Sequence, residues 1–159
     1  MKIASLSGSS RESVGKKDAE ALREQHRVPG VLYGNGTQHH FHVAELELSR
    51  LVINPDVFRV NLDIDGTTYD CIFQDVQFHP VTDRVVHFDM LALAADRPVR
   101  VELPLRTTGA APGVIAGGRL ELQFRRVPVR GLPNDLPEFV SIDISGLEIG
   151  DNARVRDMK

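Results

Sequence analysis

Two residues with acid–base chemistry, His87 and Asp89, stand two positions apart in an alternating segment of the chain. Successive side chains of a β-strand point to opposite faces, so this spacing places the imidazole and the carboxylate on one face of a sheet. No serine or cysteine stands in a nucleophile-elbow sequence that would make the pair part of a hydrolase. We therefore predict no catalytic residues, and the simplest interpretation of the couple is an exposed polar pair.

A run of histidines offers a second chemistry. His40 and His42 alternate with Phe41, so both imidazoles would lie on one strand face at a spacing that can bind Zn²⁺. A zinc site needs three or four ligands, and the sequence identifies no third partner. We predict no metal site here, with a metalloenzyme as the alternative.

Basic residues outnumber acidic residues near the N-terminus, although the whole chain is slightly acidic. The 159 residues have a formal net charge of −3, whereas residues 1–34 carry six Lys or Arg against four Asp or Glu. Phosphate binding responds to the local potential rather than to the total charge. This segment is therefore a candidate phosphate-binding region, with a solvated helix of paired charges as the alternative.

The composition excludes several classes of protein. Hydrophobic residues make up 42% of the chain, which suffices for a packed core. No segment has the ~18 apolar residues of a membrane span, and the N-terminus lacks the apolar stretch of a secretory signal. Cys71 is the single cysteine, so an intrachain disulfide is impossible and a cytoplasmic location is expected. A cysteine in a strand is expected to be a small apolar core residue.

Alternation of apolar and polar residues predicts a mainly β chain. The pair Asp65-Gly66 between two alternating runs is typical of a hairpin, because both turn positions need positive φ. Two small β-rich domains, residues 1–94 and 95–159, are expected, joined near a Pro-containing linker at 92–98, with one or two short helices in the first. A flexible loop is predicted over 109–118. The predicted strands are 28–33, 40–43, 58–64, 67–77, 84–93, 99–103, 120–124 and 139–144, and the predicted helices are 18–26, capped by Asp18, and 46–54.

The strand predicted over residues 84–93 sets the directions of its side chains. Strict alternation places Val86 with Phe88 on one face, and Val85 with His87 and Asp89 on the other.

Several motifs in order resemble the large-subunit ribosomal protein L-twenty-five family. The resemblance covers nearly the whole chain, and the set of motifs is far more specific than any one of them. The last two motifs are similar to the longer, two-domain form, often called the CTC or general stress protein type. In chain order the motifs are Gly15–Ala19, Val28–Gly34, Gln74–Asp83, Val86–Asp89, Leu136–Phe139 and Ser145–Asp151.

This resemblance implies an N-terminal β-barrel that binds 5S ribosomal RNA at an irregular internal loop, followed by a smaller β-rich C-terminal domain in the central protuberance region. No catalysis belongs to the family. The implied partners are 5S rRNA and the large ribosomal subunit, with neighbouring ribosomal proteins or rRNA as contacts of the C-terminal domain. The implied location is the cytoplasmic ribosome. No cofactor is expected, since magnesium ions would belong to the bound RNA.

In such a protein the face that carries His87 and Asp89 would recognise the RNA. The wide, shallow minor groove of RNA displays base edges and 2′-hydroxyls, which short polar groups on a rigid face can contact. A carboxylate can accept from guanine amino groups, and a Gln can both donate and accept. Basic side chains would hold phosphates. The RNA-binding residues predicted on this basis are Arg11, Lys16, Lys17, Arg23, Tyr33, Gln74, Gln77, His87 and Asp89.

The sequence also departs from the family pattern. Glu20 and Ala21 occupy positions where members often have basic residues, which predicts weaker and less salt-dependent binding. Phe78 stands where Arg is often found, and the chain ends at Lys159, before the family's last strands. Two alternatives remain. One is a transfer-RNA-binding module, since the barrel resembles the anticodon-binding part of glutaminyl-tRNA synthetase. The other is a stress-related RNA-binding protein that acts off the ribosome.

Overall fold

A computed structural model describes residues 2–34 and 36–158, which fold mainly into β-strands. None of the helices in these ranges is long and apolar enough to cross a membrane. In chain order the elements are β1 (Lys2–Ser10), α1 (Lys16–Glu24), β2 (Arg27–Gly34), β3 (Thr37–Ala44), α2 (Glu45–Val52), β4 (Phe58–Ile64), β5 (Thr67–Phe78), β6 (Val85–Ala92), β7 (Val99–Thr108), α3 (Pro112–Ile115), β8 (Arg126–Gly131) and β9 (Val140–Asp143), with a 3₁₀ turn at Val155–Asp157.

The first six strands form a closed barrel in the order β1-β3-β2-β6-β5-β4. The pairs β1–β4 and β2–β6 run parallel, and the remaining pairs run antiparallel. Alternate side chains of each strand enter one apolar core, and closure leaves no long strand edge unpaired. The predicted mainly β fold with an N-terminal barrel and two short helices is confirmed.

The hairpin between β4 and β5 forms where the sequence predicts it. Asp65 and Gly66 have φ angles of 49° and 88°, as the two central positions of such a turn require. Cys71 on β5 is also as predicted: it is fully buried in the barrel core, and burial raises the pKa of its thiol to about 12. It is therefore a small apolar core residue rather than a reactive group.

Two aromatic rings occupy the centre of the barrel core. Phe41 of β3 and Phe88 of β6 meet edge to face, with ring centroids 5.4 Å apart. Gly30 of β2 is the register partner of Phe88, and a Cβ atom at this glycine would lie 2.5 Å from the ring. Because Phe88 stands between His87 and Asp89, this inward anchor fixes the strand that carries both polar residues on its outer side.

The second sheet contains three strands in the order β8-β7-β9 and packs directly on the barrel. Val99, Val101 and Leu103 of β7 share one apolar cluster with Ile72 of β5 and with Leu91 of β6. The two sheets thus have a common core at their junction. The predicted domain boundary at residues 94 and 95 falls in the turn between β6 and β7 and stays a prediction.

Four details of the predicted elements are wrong, and two strands were not predicted. Helix α1 begins at Lys16 with Gly15 as its N-cap, so Asp18 lies inside the first turn and is bound by Arg11 instead of capping the helix. The segment 109–118 contains the short helix α3, not only a loop. Residues 120–124 form no strand, and Leu120, Leu122 and Phe124 are 40%, 45% and 71% exposed. The two strands that were not predicted are β1 and β8.

The fourth error concerns β6. Val85 is buried and does not share the outward face of His87, because the pairing with β5 is irregular. Gln77 pairs with His87 and Phe78 pairs with Val85, which makes Val86 an extra residue on β6. An extra residue reverses the facing of the strand before it.

Candidate nucleic-acid interface

Three neighbouring barrel strands, β2, β6 and β5, present polar side chains on one outer surface. The parallel register places Val31 beside Asp89 and Tyr33 beside Leu91, while the antiparallel register pairs Asp75 with Asp89 and Gln77 with His87. These positions alternate with the buried core residues of the same strands, so their side chains point outward. We call this surface, comprising Tyr33, Asp75, Gln77, His87 and Asp89, the polar face.

The His87–Asp89 couple lies at the centre of the polar face. The imidazole Nδ1 is 3.1 Å from Asp89 Oδ1, and the two side chains are 28% and 35% exposed. Since Nδ1 faces the carboxylate, Nε2 is the ring nitrogen available to an external group in this geometry. The couple therefore offers a held imidazole and a carboxylate oxygen, both at the molecular surface.

Asp75 makes the polar face more acidic than the sequence suggested. It stands directly opposite Asp89, and like charges in this position disfavour the sheet by roughly 0.2–1 kcal/mol. Partial burial raises the pKa of Tyr33, and the charges of Asp89 and Asp75 raise it further, so the phenol keeps its proton as a hydrogen-bond donor. Asp75 was not among the predicted RNA-binding residues. Its spacing of two residues from Gln77 is the same signal that placed His87 and Asp89 on one face of their strand.

The two predicted glutamines take different positions. Gln77 is exposed on the polar face beside His87. Gln74 is the extra residue of a bulge, since Phe73 pairs with Met90 and Asp75 pairs with Asp89. Its exposed amide stands at the edge of the polar face, where the bulge re-aims it.

Helix α1 packs against β2, a strand of the polar face, and carries Lys16 and Lys17. Both lysines are exposed and belong to the first turn of the helix. The N–H groups at a helix N-terminus favour anions, and the two ammonium groups add to that potential. This end of α1 can therefore hold phosphate.

Arg11 is engaged within the protein. Its Nε donates to Asp18 Oδ2 at 2.7 Å, its Nη2 donates to the Gly15 carbonyl at 3.3 Å, and its side chain is 10% exposed. The guanidinium thus connects the end of β1 to the first turn of α1. This contact orients the two lysines; a direct phosphate contact by Arg11 stays a prediction.

Arg23, near the other end of α1, contacts the strand of the polar face. Its Nε donates to the carbonyl of Val86 at 3.1 Å. Val86 is the extra residue on β6 and immediately precedes His87, so Arg23 of α1 binds the strand at its bulge. The helix and the central strand of the polar face are joined by this bond.

Within the described residues, the alternative zinc site at His40 and His42 has no third ligand. His40 and His42 are partly exposed on the outer side of β3, as the alternation predicts, while Phe41 enters the core. His42 Nδ1 is buried without a hydrogen-bond partner, and burial followed by the charge of Arg27 lowers the pKa of this imidazole. Among the residues described, no three His, Cys, Asp or Glu side chains come together as a possible metal site.

Similarity to known proteins covers both sheets. The model of the Ribosomal L25p family matches residues 6–90, and that of the ribosomal protein TL5 C-terminal domain matches residues 98–159. A large ribosomal subunit protein bL25 of Christiangramia forsetii is 45% identical over 94% of this chain and 69% of its own length. The proteins of the same name from Amoebophilus asiaticus and Porphyromonas gingivalis are 38% and 39% identical, over 100% and 99% of this chain and 81% and 83% of their own.

The polar face, the basic end of α1 and the second sheet all lie within the matched ranges. The chain therefore belongs to the ribosomal L25p family, whose members are structural, non-enzymatic proteins.

Proposed function

We propose that the chain binds 5S ribosomal RNA through the polar face and the N-terminal end of α1, and that it thereby helps to assemble the central protuberance. Family membership makes it a structural protein of the large ribosomal subunit, located on the cytoplasmic ribosome. The observation that carries the proposal is the outward His87–Asp89 couple beside Tyr33 and Gln77. Helix α1, which packs on β2 and is bound to β6 through Arg23, adds two exposed lysines in its first turn.

The two parts of this surface suit different parts of an RNA. A carboxylate is repelled by phosphate, so Asp75 and Asp89 support a contact to base edges or ribose hydroxyls rather than to the backbone. Guanine amino groups and 2′-hydroxyls are donors in the minor groove, and both can reach acceptors on a flat, rigid strand face. Lys16 and Lys17 suit the phosphates beside that groove.

An irregular internal loop fits this surface better than plain duplex does. The polar face is built on paired strands whose positions are fixed from inside by Phe88, so it cannot follow the RNA by bending. A rigid face selects an RNA whose groups already match its spacing. Selectivity is therefore expected to depend on Asp89 and His87, and overall affinity on the lysines.

The test is a gel-shift titration of 5S rRNA with transfer RNA and plain duplex RNA as competitors. Asp89→Ala should lose about 1–3 kcal/mol of discrimination between the loop and duplex, the usual size of one base-edge contact. Asp89→Asn, which keeps one carbonyl oxygen, should lose less. Lys16→Ala with Lys17→Ala should weaken binding to every RNA and reduce the salt slope by about 2.

Glu47→Ala is the matched control, because Glu47 is an exposed carboxylate on α2, outside the polar face. It should leave discrimination unchanged. Unaltered discrimination in both Asp89 and His87 variants, or transfer RNA competing as well as 5S rRNA, would contradict the proposal.

A further inference from the structure

We propose that the outer face of β7 and β8 is a second RNA-binding surface, which holds the phosphate backbone of large-subunit ribosomal RNA through Arg100, Arg126 and Arg130. We call these three residues the arginine patch. The inference rests on the ribosomal location of the chain, but it does not depend on the polar face.

The segment that contains the β7–β8 hairpin is the most basic part of this acidic protein. Residues 97–131 contain seven Arg and two Glu, a formal charge of +5, whereas residues 132–159 contain three Lys or Arg and six Asp or Glu, a formal charge of −3. The opening segment 1–34 carries only +2. The strongest local potential for an anion is therefore expected on the second sheet.

Strand geometry concentrates three of these arginines on one surface. Arg100 pairs directly with Arg130, and Arg126 lies four residues before Arg130 on the same side of β8. All three are exposed, while Val99 and Val101 on the opposite side of β7 are buried in the apolar cluster. The arginine patch therefore faces outward as a consequence of the packing of the second sheet.

The arginine patch makes no ion pair within the described residues, although Glu102 lies on the same outer face of β7 and reduces its net charge. In the ranges 2–34 and 36–158, none of the three guanidinium groups has a carboxylate at ion-pair distance. Arg106 on the same strand behaves differently, since it binds Asp56 Oδ1 at 3.1 Å and covers the ring of Phe139. Like charges directly opposite each other destabilise a sheet, so the Arg100–Arg130 pair is a cost that an external anion would relieve.

The shape of the arginine patch indicates a polymer. Four residues of a strand span about 13 Å, so Arg126 and Arg130 are spaced to bind two separate anionic groups along a line. A phosphate backbone offers successive negative charges, and the planar guanidinium binds phosphate through two parallel hydrogen bonds. A protein partner would have to supply carboxylates at the same spacing, whereas any phosphate backbone carries regularly repeated negative charges.

A groove connects the arginine patch to the barrel. It has a volume of about 570 Å³, and its lining includes Arg100, Glu102 and Arg126 of the second sheet and Gln74, Asp75 and Phe78 of β5. Phe78 is 50% exposed there. Since Asp75 belongs to the polar face, an RNA that contacts the barrel can continue past β5 to the arginine patch.

The experiment uses a double variant that combines Arg126→Ala and Arg130→Ala. Its control is a second double variant with the same change of charge, which combines Arg50→Ala and Arg156→Ala. The control residues are exposed and lie on α2 and near the C-terminus. Binding of the full chain to protein-free 5S rRNA, and separately to protein-free large rRNA from the same subunits, is measured across a salt series. Thermal melting verifies that both variants are folded.

Loss of two phosphate contacts should reduce the slope of log affinity against log salt by about 2 on one of the two RNAs, and the control should not reduce it. The RNA that responds identifies the segment held. Equal slopes for the double variant and the wild type on both RNAs would overturn the proposal. A defect seen only with intact subunits, which retain their proteins, would assign the arginine patch to a protein partner and overturn it as well.

The outcome is separable from that of the proposed function. Asp89→Ala tests discrimination by the polar face, whereas the arginine variants test the salt slope. A reduced slope together with unaltered discrimination in Asp89→Ala would retain the arginine patch and reject the polar face.

Discussion

The barrel and the second sheet are both built from β-strands, but their exposed faces differ in charge. The polar face of the barrel presents a tyrosine, a histidine, two carboxylates and a glutamine. The outer face of β7 and β8 presents Glu102 and three arginines that form no ion pair within the described residues. Phosphate contacts position a protein on nucleic acid, and contacts to base edges specify the site. In the binding mode proposed above, the region with the greatest positive charge is therefore not the region that selects the RNA.

The two regions also differ in how complete they are. The barrel is closed, and its core is built from its own six strands together with Leu48 of α2. The second sheet has three strands, takes Ile72 of β5 into its core, and leaves Leu122 and Phe124 exposed. Its stability should therefore depend on the barrel, while the reverse dependence should be weaker.

The largest effect should come from the residue that both regions share. Ile72→Ala removes a fully packed side chain of β5 from the cluster formed with Val99, Val101 and Leu103, and should cost about 2–5 kcal/mol of unfolding free energy. Because the cavity lies at the junction, hydrogen exchange should increase in β7 more than in β3. Faster exchange confined to the barrel would show that the second sheet is independent of it.

A glycine in each region gives the next comparison. Gly30→Ala places a Cβ atom 2.5 Å from the Phe88 ring, whereas Gly131→Ala in β8 places one 3.2 Å from Leu136 Cδ2. Overpacking of a tight core costs about 1–3 kcal/mol, so the barrel variant should melt clearly lower. It should also weaken discrimination for 5S rRNA, since Phe88 anchors the strand of His87. Equal melting temperatures for the two variants would contradict the assigned packing.

The smallest effect should be the loss of stability in acid that comes from one ion pair at the barrel, Arg84 with Glu45. Hydrogen bonds from Arg84 hold the pKa of Glu45 below its usual value, despite partial burial, so this carboxylate stabilises the folded state above pH ~4.5. The stabilisation disappears as the pH falls through the lowered pKa in the folded state. Glu45→Gln should flatten the acid limb of the unfolding curve by at most about 1 kcal/mol, the usual range for surface ion pairs. An acid limb identical to that of the wild type would exclude this ion pair as a contributor.

The sequence predicted the fold best where the structure depends on residues that are close together in the chain. Asp65-Gly66 identifies its hairpin because few residues adopt positive φ, and alternation correctly placed His87 and Asp89 outward. Alternation failed at Val85, since the extra residue arises from pairing with β5, which no pattern within β6 records. It also failed at residues 120–124, where apolar alternation is present but no paired strand forms in the described part of the chain.

Part of the candidate site required three-dimensional information. The predicted set did include the residues of the polar face other than Asp75. The roles of Arg11 and Arg23 within the protein depend on contacts with Asp18 and with the Val86 carbonyl, the second of which joins residues 63 positions apart. A basic side chain in a sequence gives no sign of whether its charge is already used internally.

The bond from Arg23 to the bulged carbonyl of Val86 has a consequence for how tightly an RNA can be held. It couples the lysine-bearing helix to the strand of the His87–Asp89 couple before any ligand arrives. A helix that swung freely would have to be immobilised on association, and that loss of entropy would subtract from the affinity. Here the immobilisation has already taken place during folding, so the chain meets its ligand in a shape that needs little further adjustment.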